Sequence, residues 1–395
     1  MNKKLMILGA SYSQLPLYEA AKKLGISTVA VSTPGDWPGF QVADESSCTD
    51  ISDPQAVCTA AKELKADGIA TCCLDTGVRA LGYTCEKLGL TGPGARAADI
   101  SSNKYKMKEA FMKGGVSCAR HICIHSEEDL QKALDQLDFP VVVKAVDLMG
   151  SRGIFRCNTR EEAVFYYGKT MEATGQDYCL VEEFIEGQIL GCEAMIKDGE
   201  LVYCLPNNIA AFQSHVPTPV GHSVPYRKPE LEPEICRQVK LAIEAVGLDN
   251  CPVNCDLICK DDRIYVIEIT GRAGATCLPE MVGLYYGINY YEAIVRLAMG
   301  MDVRFMFRKD APHRANLSKI LTSDRDGTVK AIHNDNTEAE DIIDLSFNIE
   351  PGDQVHRYTN GRDRIGQIIL TGDSLHGCEA RLQDILSKIN IEFTE

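Results

Sequence analysis

The chain has 395 residues, 45% of them hydrophobic, and a formal net charge of −15. That length exceeds one typical core, so roughly two to four domains are expected. The acidic balance argues against a nucleic-acid partner or an anionic membrane surface, yet it leaves room for a local basic pocket. The 17 cysteines are an odd number, and several lie inside apolar runs, such as Cys72-Cys73. They read as reduced core residues of a cytoplasmic protein rather than as a disulfide framework. No apolar run approaches the roughly eighteen residues that span a bilayer, and the run at residues 5–8 is too short for a signal peptide.

Residues 4–9 read as a buried strand. A turn at Gly9-Ala10-Ser11 leads into a helical pattern through Leu24, and Val29-Ala30-Val31 and Ile69-Ala70-Thr71-Cys72 read as further strands. This alternation implies a parallel α/β sheet, a Rossmann-like N-terminal domain over residues 1–95. The first turn lacks the full Gly-x-Gly-x-x-Gly fingerprint, so the domain reads as a scaffold rather than a dinucleotide site. Gly92-Pro93-Gly94 then breaks the chain, and Ser102-Asn103-Lys104 opens a helix. Phe139-Pro140-Val141-Val142-Val143-Lys144 is a strand that runs into a small-residue loop at 147–153, containing Gly150-Ser151-Arg152-Gly153. Another strand, from Cys179 through Val181-Glu182-Glu183-Phe184-Ile185, ends at Glu186-Gly187. Residues 205–229 hold five prolines and two histidines with little periodicity, which suggests a functional loop. Residues 234–246 look helical. A last α+β segment, 304–395, carries strands near 364–370 and a helix near 376–388.

Residues 251–270 carry the densest chemistry. On the first run Val253, Cys255, Leu257 and Cys259 are apolar at odd positions, and on the second so are Tyr265, Ile267 and Ile269. Side chains alternate with period two, so each run has one apolar face. The two faces coincide only with an odd loop, for example Asp261 to Arg263. Asp256 then sits opposite Glu268, Asn254 opposite Thr270, and Ile258 opposite Val266; a two-residue Asp-Asp loop would send the two acids to opposite faces. Cys251, Cys255 and Cys259 would line the apolar face, too spread for one metal ion. Magnesium takes oxygen ligands, usually one or two carboxylates plus the phosphates of a nucleotide. Arg272, just beyond, could stabilise charge on a transferring phosphoryl group. Two exposed acids on an amphipathic hairpin is the plain alternative.

Three other features suit a nucleotide. Lys144 ends a strand just before the loop with Ser151 and Gly153, where backbone N–H groups can approach phosphate oxygens. Lys104 is a second candidate for phosphate. The backbone of the stretch from Val181 to Gly187 can offer donors and acceptors to adenine, and a later acid such as Glu193 can bind ribose hydroxyls. Each alone is matched by a bland reading: a surface turn, a solvated lysine, an edge strand.

In this order and spacing the set resembles the ATP-grasp superfamily, over roughly residues 1–300. The motifs are Ser102-Asn103-Lys104, Phe139 to Lys144, the loop 147–153, Val181 to Gly187 and Glu268-Ile269-Thr270-Gly271-Arg272. The resemblance implies an ATP-grasp domain at 96–303, with lobes at about 96–180 and 181–303, holding ATP behind the Rossmann-like domain. Lys104, Lys144, Ser151 and Gly153 would meet phosphates. Glu182 and Glu183, with the backbone of Phe184 and Ile185, would meet adenine, and Glu193 the ribose. Asp256 and Glu268 would hold Mg2+, and Arg272 would sit over an acyl phosphate. Where the family usually has Glu-x-Asn-Pro-Arg, Thr270 and Gly271 replace Asn and Pro. Ile189 stands where the family often has its ribose acid.

The resemblance implies an ATP-dependent carboxylate–amine ligase acting through an acyl phosphate on an amino acid or similar small carboxylate. Val220-Gly221-His222-Ser223-Val224-Pro225 is similar to a stretch of amino-acid and dipeptide ligases, which makes His222 and Arg272 candidates for substrate contacts. His222 could equally order the proline-rich segment. A carboxylase or carbamoyl-phosphate-type enzyme that phosphorylates bicarbonate and a non-catalytic ATP sensor are the rival readings. The partners expected are small molecules, with a homodimer left open.

Overall fold

The computed structural model describes residues 3–150, 152–212 and 218–394. The chain divides into two compact units. The first holds residues 1–206, 230–275 and 289–309; the second holds 207–229, 276–288 and 310–395.

The first unit opens with β1 (Lys4–Leu8), β2 (Ser27–Ser32), β3 (Glu45–Cys48) and β4 (Gly68–Ala70), a parallel sheet in the order β3-β2-β1-β4. β1 and β2 read as continuous apolar runs because helices cover both faces of a parallel sheet. Met6, Leu8, Val29, Val31 and Ile69 pack with Val57, Ala61 and Leu81 of the flanking helices. The expected α/β alternation is therefore what forms. Strand order reverses beside β1, and in such sheets a crevice opens beyond the carboxyl ends of the strands.

A second, antiparallel sheet joins β5 (His121–Ile124), β6 (Val141–Lys144), β7 (Ile154–Cys157) and β8 (Cys179–Glu183) in the order β5-β8-β6-β7. Its buried face carries Val141, Val143 and Val181 against Leu130 and Tyr167. β9 (Gln188–Lys197) is followed by β10 (Glu200–Phe212), which starts in the first unit and ends in the second, and by β11 (Thr218–Val224) of the second. In the first unit β9 pairs with β12 (Cys251–Lys260), and β12 with β13 (Arg263–Thr270).

The hairpin of β12 and β13 corrects one expectation while keeping its consequence. Asp256 does pair with Glu268 and Asn254 with Thr270. The loop, however, is the two-residue Asp261-Asp262, with Lys260 paired to Arg263. Both aspartates have positive φ, 50° and 57°, as the tight hairpin turn requires. A register shift restores the shared face: Val266, not Ile267, pairs with Leu257, and Ile258 faces Tyr265. Below that bulge the buried residues of β13 are Ile264 and Val266, and above it Ile269. One extra residue flips the parity, as a bulge does. Cys251, Cys255 and Cys259 line the buried face, and no disulfide forms among the described residues.

In the second unit the end of β10 continues through β11 to β14 (Ala315–Thr322). β15 (Gly327–Asn334) pairs with two short strands described below, and β16 (Ile342–Phe347) closes the larger sheet. β17 (Gln354–Val355), β18 (Arg364–Gly372) and β19 (Ile389–Phe393) complete the set. The larger sheet runs β10-β11-β14-β18-β16, and β17-β15-β19 form a small one. Leu317, Ile368 and Leu370 pack against Leu382 and Ile385 of helix Leu375–Ser387. Of the proline-rich stretch at 205–229, residues 205–212 and 218–224 are strand rather than the expected loop, and 213–217 lie outside the described residues. Pro219 pairs with Ala211 at a register shift, where the missing N–H costs little. No helix among the described residues is long and apolar enough to cross a membrane.

Candidate active site

Two charged clusters form within the first unit. The first stands on β6, β8 and helix Lys104–Gly114. Asn103 caps that helix, its side chain accepting from the Lys106 N–H, so Lys104 occupies the first turn and Lys108 the next. Lys144 pairs with Leu180 across the ladder and Glu182 with Val142. Lys144 and Glu182 therefore lie diagonally on one face, within reach of long side chains. Lys144 Nζ is 2.7 Å from Glu182 Oε1, and Lys108 Nζ is 3.5 Å from Oε2. All three residues are buried. Burial alone would raise the Glu182 carboxyl, but the Lys108 and Lys144 ammoniums outweigh it and hold it below the usual range. Burial pulls the Lys144 ammonium down to about 8, against the attraction of Glu182.

The second cluster stands on the hairpin. Lys104 Nζ is 3.2 Å from Glu268 Oε2 and donates to the Leu148 carbonyl at 2.8 Å. The Lys104 ammonium holds Glu268 below the usual carboxylate range despite burial. Asp256, paired with Glu268 across the ladder, is pushed up to about 7 by burial and by the Glu268 charge. Arg272 follows β13 and is buried. Its Nε donates to Asp75 Oδ1 at 2.7 Å and its Nη2 to Asp75 Oδ2 at 2.8 Å. Its Nη1 donates to Asn254 Oδ1 at 3.3 Å and to the Ala273 carbonyl at 3.1 Å. Burial would raise the Asp75 carboxyl, but the Arg272 guanidinium keeps it low.

The structure brings Lys104, Asp256 and Glu268 together, with Lys144 in electrostatic range of Glu268. It distributes the remaining candidates differently. Gly153 has φ 63°, and its carbonyl accepts from the Ala145 N–H at the foot of the loop; Ser151 lies outside the described residues. Glu183 points to the surface and accepts from Arg120 at 2.9 Å. The Phe184 N–H donates to the Pro140 carbonyl, and its ring lies 4.3 Å from the Arg156 guanidinium. That donor is used within the sheet. Ile185 is half-buried. Glu193 has no exposed surface. Its Oε1 accepts from Asn254 Nδ2 at 2.7 Å and its Oε2 from the Gly274 N–H at 3.1 Å. Burial pushes it up to about 8. It pairs with Asn254 across the β9–β12 ladder, so it belongs to the Arg272 network and offers no accessible oxygen to a ribose. His222, in the second unit, is buried; burial pulls it down to about 4, and its Nδ1 lies 3.0 Å from Asn207 Oδ1.

Sequence reasoning missed Lys108, Asn254 and Asp75. Lys108 had a signal: it falls one helical turn after Lys104, on the same helix face. Asn254 shares the even face of β12 with Asp256. Asp75 follows the carboxyl end of β4, where α/β sheets collect ligands.

Residues 101–276 match the model of the ATP-grasp domain, and residues 319–394 match that of the L-amino acid ligase C-terminal domain 2. The crystal structure of phosphoribosylglycinamide synthetase from Anaerococcus prevotii is 42% identical, covers 100% of both chains and superposes with a TM-score of 0.85. L-amino acid ligase from Bacillus licheniformis is 21% identical, covers 100% of this chain and 99% of its own, and also gives 0.85, a likeness of fold. Alanine–anticapsin ligase of Bacillus subtilis is 25% identical over 55% of this chain. Measured against the first curated relatives, the chain covers between 51% and 65% of their length. This chain belongs to the ATP-grasp superfamily, among its carboxylate–amine ligases, and is an enzyme.

Proposed function

We propose that the protein activates a small carboxylate as an acyl phosphate at the expense of ATP and passes it to an amine, releasing ADP and phosphate. The observation that carries this reading is the shared face of Asp256 and Glu268 with Lys104 beside them. The pair fits a divalent cation on the structure's own terms. Two half-buried carboxylates face each other, and burial together with the Glu268 charge pushes the Asp256 carboxyl up to about 7, a cost that a bound cation removes. Asp256 and Glu268 would hold magnesium, which supplies neutralisation of charge on the triphosphate.

The chain's own residues do the rest. Lys104 and Lys144 place positive charge for the phosphates, and Lys108 together with Lys144 keeps Glu182 ionised. Glu182 and the strand end through Ile185 border the base. Arg272 offers charge to the phosphoryl oxygens as they leave ATP, an interaction that strengthens as the bond breaks. Thr270 flanks this arginine, and its hydroxyl points to Asp75 at 3.3 Å.

Two substrate pairs deserve the first assay. The L-amino acid ligase match over residues 319–394 favours an amino acid joined to a second amino acid. The 42% identical relative is a phosphoribosylglycinamide synthetase; phosphoribosylglycinamide is an amide of glycine, which favours glycine and a phosphoribosylated amine. Phosphate release from magnesium and ATP is followed with each carboxylate and amine, separately and together. Turnover that needs both supports the ligase. Turnover that needs only bicarbonate, or none with any pair, rejects it.

A further inference from the structure

We infer that Asp75 is a positioning residue for this chemistry, the group that aims Arg272. The inference rests on the role proposed for Arg272 and adds a residue from the N-terminal sheet.

The loop after β4 is stitched to the segment after β13. Cys72 forms a parallel bridge with Ala273, the Cys73 N–H donates to the Ala273 carbonyl at 3.1 Å, and Cys73 Sγ donates to the Gly274 carbonyl at 3.2 Å. Cys73 has φ 58°, a left-handed conformation that a side chain adopts at a cost. That turn delivers Asp75 to the guanidinium. The Asp75 carboxylate takes Nε and Nη2 in a fork, the geometry that fixes the plane of an arginine. Thr270 Oγ1 steadies Asp75 from the same strand end.

A count of hydrogen bonds gives the consequence. A guanidinium has five N–H groups. Among the described residues, two are held by Asp75, one by Asn254 and one by Ala273. Asp75 Oδ1 also lies 2.7 Å from Nη2, so the carboxylate closes on the whole Nε–Nη2 edge and fixes the direction in which the guanidinium meets a substrate oxygen. A buried arginine lacking its fork would rotate and lose that direction. Asp75 thus acts on the reacting oxygens only through Arg272.

A double-mutant cycle tests this. Asp75→Asn keeps the shape but halves the fork; kcat should fall about 10- to 100-fold, the range for partners that orient a functional group, while KM for ATP moves less than about threefold. Asp75→Glu, which restores the charge on a longer arm, should recover part of the loss. The variant Asp75→Asn with Arg272→Met should be no slower than Arg272→Met alone, because both changes remove one unit of function. Losses that multiply, or an unchanged kcat in Asp75→Asn with its arginine intact, overturn the inference. Full activity in Arg272→Met instead rejects the role of the arginine itself. Asp75→Glu carries the same cycle where Asp75→Asn does not fold.

Discussion

Around β6 and β8 two ammoniums, Lys108 and Lys144, share one carboxylate, Glu182. Around the β12–β13 hairpin four carboxylates, Asp75, Glu193, Asp256 and Glu268, face two cations, Lys104 and Arg272. The first cluster holds more ammoniums than carboxyls and the second more carboxyls than cations, with burial raising two of those carboxyls, Asp256 to about 7 and Glu193 to about 8. Unpartnered buried charge is costly, and the second cluster meets that cost by raising Asp256 and Glu193. On the proposed reading the first cluster would meet anionic phosphate and the second a divalent cation, both carried by one nucleotide.

The comparison breaks hardest at Glu268. Glu268→Gln keeps the volume and removes the charge, so turnover should fall at least about 100-fold. The pair with Lys104 is partly exposed, the Glu268 side chain at 40%, so stability should change by no more than about 1 kcal/mol. Phosphate release and a denaturant titration read the two quantities. Retained turnover removes Glu268 from the metal site.

On the positive side the matching variant is Lys144→Met. Glu182 keeps Lys108 at 3.5 Å, so its charge stays partnered and the fold should hold. A charge-assisted bond to phosphate is worth about 1.5–3 kcal/mol, so KM for ATP should rise about 10- to 100-fold. A KM that rises no further than that of Lys106→Met, whose lysine pairs with Asp99 at the surface, would place the phosphates elsewhere.

The two clusters were unequally legible in the sequence. Alternation placed Asp256 opposite Glu268, and it did so although the assumed loop was wrong. The Asp-Asp turn and the bulge at Ile267 each change the parity, and the two changes cancel. A bulge leaves no composition signal, so it shows only in the folded chain. Lys144 and Glu182 were each read as nucleotide contacts, yet their ion pair depends on strand pairing across 38 residues of chain. Asp75 is 197 residues from Arg272; no local period reaches that far. The segment 205–229 misled because five prolines suggested a loop, whereas prolines at strand ends and bulges are tolerated. Glu193 was read as a ribose ligand by its distance along the chain from Gly187. The alternation of β9 instead turns it toward Asn254.

The smallest expected effect is a pH profile, and it sharpens the comparison because each cluster governs one limb. Asp256 is raised to about 7, and a metal ligand must be ionised. Below that pH a proton competes for the site, so kcat/KM should rise with pH through about 7. Lys144 is lowered to about 8, and its charge is needed for phosphate. Above that pH it is lost, so kcat/KM should fall. The result is a narrow bell. Lys144→Arg, which stays protonated, should erase the alkaline limb and leave the acid limb in place. Raised magnesium should move the acid limb to lower pH, since metal and proton compete for one carboxylate, and leave the alkaline limb unmoved. A profile whose two limbs shift together under either change would mean that the opposite charges belong to one titrating unit rather than two.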